Sequence, residues 1–154
     1  MNTKKILKDV FILSADYNND GKQDFMVPGV RWDEAVSWNW RGDVYINSVG
    51  GFTKYGAATT GLPNSRQALS VDAGDVNNDG FSDILYMNAT EETDMVYLNN
   101  GGKLDAPMFT ASPLVYAGAK AQRGGTANLV DFDNDGNLDA FLVGYGDAGG
   151  SHTR

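Results

Sequence analysis

Residues Asp75–Asp83 read DVNNDGFSD, and this stretch decides the fold. Two relatives of it stand elsewhere in the chain: DYNNDGKQD at Asp16–Asp24 and DFDNDGNLD at Asp131–Asp139. All three fit D-x-[DN]-x-D-G-x-x-D. Their first residues lie 59 and 56 residues apart, so one unit recurs at a near-constant period. A single D-N-D-G would be read as a good β-turn. Three copies, each with a further Asp at position 9, point to a metal.

Calcium takes six to eight oxygens at about 2.3–2.6 Å. Carboxylates and amides at positions 1, 3 and 5 of a tight turn converge on one point. Glycine at position 6 (Gly21, Gly80, Gly136) permits the positive φ that folds the loop over an ion. A carbonyl at position 7 (Lys22, Phe81, Asn137) adds an oxygen, and the position 9 Asp closes the shell. The start resembles an EF-hand loop, but that loop needs a bidentate Glu at position 12. Val27, Tyr86 and Leu142 stand there, so the EF-hand reading fails in every copy.

The flanks are short apolar runs rich in β-branched and aromatic residues. VFILSA, ALSVDAG and TANLV precede the loops; FMVPGV, ILYMNA and AFLVGYG follow them. These read as strands. Further strands are expected at Asp43–Asn47, 52–59, Met95–Asn99 and 108–117, with turns at Gly50-Gly51 and Leu62-Pro63-Asn64. VYINSVGG and VYLNNGG occupy matching places, so the repeat reaches beyond the loops. Four strands per unit at this period predict an all-β fold, a β-propeller of four-stranded antiparallel blades. Blade 1 spans about 8–62, blade 2 about 66–118 and a partial blade 3 about 124–150. About two and a half blades fall short of the four to eight of a closed ring. The expectation is a piece of a larger propeller or a protomer that self-associates to complete one.

The net charge is −8, yet ten of the twenty acidic residues lie in the three loops. The acidity is local, and three calcium ions would bring the total to −2. With no basic stripe to neutralise phosphates, nucleic acid is excluded as a partner. The absence of Cys removes disulfide and thiol chemistry, and His152 alone cannot build a zinc site or a His-dependent triad. No segment is long enough for membrane insertion as a helix, and the start MNTKKILKDVFIL lacks the apolar run of a signal peptide.

These loops, each followed by an apolar strand, resemble FG-GAP/VCBS repeats, the units of integrin α-subunit propellers and of fungal lectins of the same fold. The resemblance implies calcium in the loop between the first two strands of each blade. The side-chain ligands would be Asp16, Asn18, Asp20 and Asp24; Asp75, Asn77, Asp79 and Asp83; Asp131, Asp133, Asp135 and Asp139. It also implies a binding module rather than an enzyme, and an extracellular or cell-surface location. The connection between the second and third strands is seven residues longer in blade 1 than in blade 2, and it holds Trp32, Trp38 and Trp40, beside Arg41. In the resembled fold this connection lies on the face that binds ligands, and indole faces among polar groups suit a sugar ring. The expected partner is therefore a carbohydrate or a protein. The opposing reading packs the tryptophans into the core. The alternative is a propeller domain, catalytic or not, of a larger glycan-active or toxin-like protein, in which Asp33 and Glu34 would be the candidate carboxylate pair. Arg41-Gly42-Asp43 spells an integrin-recognition tripeptide, but Asp43 matches Asp94 as the residue opening the third strand. Asn88-Ala89-Thr90 is a glycosylation sequon expected to have arisen by chance.

Overall fold

The computed structural model describes residues 12–28, 42–63, 68–88, 93–114, 123–145 and 151–153. The fold is all-β and antiparallel. The first sheet holds β1 (Leu13–Ala15), β2 (Asp24–Val27), β3 (Asp43–Ser48) and β4 (Gly51–Tyr55) in sequence order. The second repeats that order with β5 (Ala68–Gly74), β6 (Asp83–Asn88), β7 (Met95–Asn99) and β8 (Phe109–Pro113). The third has β9 (Arg123–Val130), β10 (Asp139–Tyr145) and β11 (Ser151–Thr153). These are propeller blades, and no closed ring forms among the described residues. No described helix is long and apolar enough to cross a membrane.

Two elements differ from the reading of the sequence. The strand expected over 52–59 stops at Tyr55, and Ala57–Thr60 forms one helical turn, α1. The two threonines suggest a strand, but the turn is framed by Gly56 and by Gly61 at φ 75°. A Cβ on Gly61 would lie 2.4 Å from the Phe109 carbonyl oxygen, so only glycine fits that approach. The Thr60 hydroxyl donates to the Gly42 carbonyl, and the Met108 N–H donates to the Thr59 carbonyl. The turn thereby docks the outer edge of the first sheet on the second. The other difference is β11, which lies in the glycine-rich tail and gives the third sheet three strands instead of two.

The core lies between sheets. Met26, Val44 and Ile46 of the first face Ile84, Tyr86 and Tyr97 of the second, with Tyr17 and Phe109 set edge-on. Leu85 and Met87 face Ala127 and Leu142 of the third. Strand β6 is therefore buried at all six positions, with alternate side chains serving opposite neighbours. Polar bonds also join the inner strands of the second and third sheets. The Ser70 hydroxyl accepts the Ala127 N–H at 3.0 Å, and Asp72 accepts the Leu129 N–H at 2.8 Å.

Candidate metal centre

Each nine-residue loop connects the first two strands of its sheet, as the motif spacing requires. The backbone folds the same way in all three. Position 4 is Asn19, Asn78 or Asn134 at φ 57–59°, and position 6 is Gly21, Gly80 or Gly136 at φ 84–90°. The position 6 glycine is foreseeable from the motif. The asparagine at position 4 is the second left-handed residue, and the reading of the sequence left that position as x. The signal was present, since all three copies carry Asn there and Asn tolerates αL better than most side chains.

The first Asp organises each turn. Asp16 accepts the N–H groups of Asp20 at 3.0 Å and Gly21 at 2.7 Å. Asp75 accepts those of Asp79 at 3.0 Å and Gly80 at 2.8 Å. Asp131 accepts those of Asp135 at 3.1 Å and Gly136 at 3.0 Å. At position 3, Asn77 and Asp133 also accept the position 5 N–H. At position 5, Asp20, Asp79 and Asp135 accept the N–H of Lys22, Phe81 and Asn137. The expected side-chain oxygens are thus held around each turn by main-chain donors. In the third loop, carboxylate oxygens of Asp131, Asp133 and Asp139 lie within 4.8 Å of one another.

Position 9 does more than the motif suggests. Asp24 accepts the Tyr17 N–H with one oxygen and the Asn47 N–H, on β3, with the other at 2.7 Å. Asp83 accepts the Val76 N–H and, at 2.8 Å, the Asn99 N–H on β7. Asn99 in turn donates to the carbonyls of Tyr17 and Ser82, so it ties the first loop to the second. The matched NS and NN of VYINS and VYLNN carried this brace, but its partners lie far away in sequence. Asp139 accepts the Phe132 N–H and is exposed. Asn78 donates to Asn137 at 2.8 Å and joins the second and third loops.

The electrostatics divide the carboxylates. Burial raises the Asp24 and Asp83 carboxyls above the ordinary carboxylate range, against the main-chain bonds that lower them. Lys22 lowers Asp20, with its ammonium 2.9 Å from the carboxylate. Burial also raises the Tyr17 phenol, followed by the charges of Asp24 and Asp72. A divalent cation would suit the loops on a further ground. Asn18 Oδ1, at position 3 of the first loop, is buried with no hydrogen-bond partner. An oxygen of that kind costs about 1–3 kcal/mol unless something takes its lone pair, and calcium takes amide oxygens. When bound, calcium would supply positive charge to clustered carboxylates, with carbonyls of Lys22, Phe81 and Asn137 as the main-chain donors that the spacing assigns.

The other candidate residues separate by location. Trp32, Trp38, Trp40 and Arg41, with Asp33 and Glu34, lie outside the described residues. Asp43 pairs with Lys54 at 2.6 Å and is mostly buried, which fits a residue that opens a strand rather than an adhesive carboxylate. Asn88 is fully buried, and its amide donates to the Thr93 carbonyl, so its nitrogen offers no room for a glycan.

No curated protein matches the chain. A family model described as the FG-GAP-like repeat matches residues 16–86, from the first loop through the first sheet and the second loop into β6. The four-stranded sheets and the period agree with that match, and residues 16–86 are consistent with the FG-GAP/VCBS repeat family.

Proposed function

We propose that this chain is a calcium-stabilised, propeller-type binding module that carries out no chemistry of its own. FG-GAP-like repeats support the binding-module reading at the coarse level. One observation carries the metal: three loops repeat the same bonds, and the first leaves Asn18 Oδ1 buried and unpartnered at a ligand position. Each loop takes one calcium, about three in all. The ion ties β1 to β2, β5 to β6 and β9 to β10 through the loop between them, and offsets repulsion among close carboxylates.

The partner is a carbohydrate or a protein, met at the connection with Trp32, Trp38 and Trp40. The support is the seven extra residues and their indoles. Loops that saturate with calcium suit an extracellular or cell-surface setting, where FG-GAP repeats are typical.

Thermal unfolding with calcium, magnesium and chelator tests the metal. Calcium at a hundredfold excess over its Kd adds about 2.7 kcal/mol per site and raises Tm. Asp79→Ala should lower Tm in calcium and change it little in chelator. Equal Tm values in calcium and chelator would sink the metal reading. Binding to a glycan array, lost in Trp38→Ala, would support the carbohydrate; turnover of a glycan would contradict the module reading.

A further inference from the structure

The three sheets are internal copies, so equivalent positions report what covers each face. Position 2 of the loop is Tyr17 in the first blade and Phe132 in the third. Tyr17 is 1% exposed because Phe109 of the second sheet lies over it. Phe132 is 59% exposed, and among the described residues its one aromatic contact is Phe141 of its own sheet. Phe141 holds the position of Met26 and Leu85, which are both fully buried. The outer face of the third sheet therefore has the composition of a joint, and no sheet covers it among the described residues.

The first sheet shows the other half. Phe25 stands where Ile84 does, and Tyr45 where Tyr97 does; in the second sheet both are buried against the first. In the first sheet Phe25 stacks on Tyr45 at 4.6 Å and meets Phe52 at 4.9 Å, and Phe52 is 53% exposed.

Polar groups at the inner strands match as well. Ser70 and Asp72, five and three residues before the second loop, take the N–H groups of Ala127 and Leu129 on the next sheet. The same places on the third sheet hold Thr126 and Asn128, both exposed and both able to accept an N–H. The counterparts of Ala127 and Leu129 on the first sheet are Ile12, 66% exposed, and Ser14, also exposed. Between the first and second sheets the hook position is Leu13, so that joint is apolar.

We propose that the outer face of the third sheet and the outer face of the first are two halves of one joint, closed by a second copy of this chain head to tail. A second copy is the occupant because a single chain presents both complementary faces, each continuing a joint already built inside it. Phe132 and Phe141 of one copy pack on Phe25, Tyr45 and Phe52 of the other. Thr126 and Asn128 accept N–H groups of its first strand. Two copies supply six sheets, within the four to eight of closed propellers. A head-to-tail pair closes on itself with two identical joints. The proposal does not rest on calcium.

The test is light scattering of the purified chain in calcium, with circular dichroism to confirm folding. Wild type should run at twice its 16.6 kDa mass. Phe25→Lys alone and Phe141→Asp alone should each weaken association by roughly tenfold or more, because each breaks both joints. Thr126→Ala with Asn128→Ala, on exposed positions, should weaken it less and stay folded. Mixing the Phe25→Lys and Phe141→Asp proteins should restore the dimer, since one joint is then wild type on both sides and the other pairs opposite charges. A monomeric wild type overturns the proposal. So does a dimer that only one of the two charged variants disrupts, because that pattern belongs to a face meeting its own copy. Failure of the mixture to associate also overturns it.

Discussion

Strands β6 and β10 follow the same loop motif, yet they live in different surroundings. Every residue of β6 is buried, while along β10 Ala140 is exposed, Phe141 is half-buried and Leu142 is buried. The position 9 Asp follows suit: Asp83 is buried and bonded from its own loop and from β7, and Asp139 is exposed with one main-chain donor among the described residues. The difference does not come from the motif. It comes from having a sheet on each side, which means that stability in this fold is a property of joints more than of blades.

The largest test of that claim deletes the same position in both strands. Leu85→Ala removes a side chain packed between sheets and should cost about 2–5 kcal/mol. Phe141→Ala removes a larger ring from a face that the described residues leave partly open. Measured at concentrations where the chain is monomeric, it should cost less than Leu85→Ala in urea unfolding. An equal or greater cost would mean that the outer face of the third sheet is already covered within one chain.

The second test uses the acids. Asp83→Ala strands the Val76 and Asn99 N–H groups and should lower stability in chelator by about 2 kcal/mol. Asp139→Ala strands, among the described residues, the Phe132 N–H alone and should cost less. The raised carboxyls give a pH signature. A group that folding raises is more easily protonated when folded, so its contribution is fully present below the unfolded carboxylate value of about 3.9. It is lost as pH rises through the raised folded values of Asp24 and Asp83. In chelator, Tm should therefore fall with rising pH over that window. Calcium should remove the fall, and Asp83→Asn should shrink it. A Tm that climbs with pH in chelator would contradict the assignment.

Much of this was legible in the sequence because the acids and amides of each loop are local. Nine consecutive residues carry the turn, its glycine and its acids, and the strands beside it advertise themselves through Val, Ile, Tyr and Phe. What escaped was non-local or conformational. Asn47 and Asn99 bind acids 23 and 16 residues away, and their side chains look like ordinary strand-end amides. Ser70 and Asp72 reach across 57 residues to the next sheet. The turn at Ala57–Thr60 opposes the local preference of its threonines and is held by contacts with Gly42 and Met108. Such positions reveal their role only once a neighbour is in place.

The smallest effect compares the first loop with the second. Their acids and amides match, but position 7 is Lys22 in one and Phe81 in the other. The Lys22 ammonium sits on Asp20 Oδ2, an oxygen that a cation would also claim. In the second loop, that oxygen of Asp79 accepts only the Asn77 amide among the described bonds. Calcium entering the first loop must displace a mobile cation that water screens, so the penalty is modest. Lys22→Ala should tighten calcium at the first loop by roughly fivefold at most, leave the other two loops unchanged, and lose its effect as salt rises. Isothermal titration at low and high salt reads this directly. Weaker calcium binding after the substitution would mean that the lysine stem, rather than its charge, shapes the first loop.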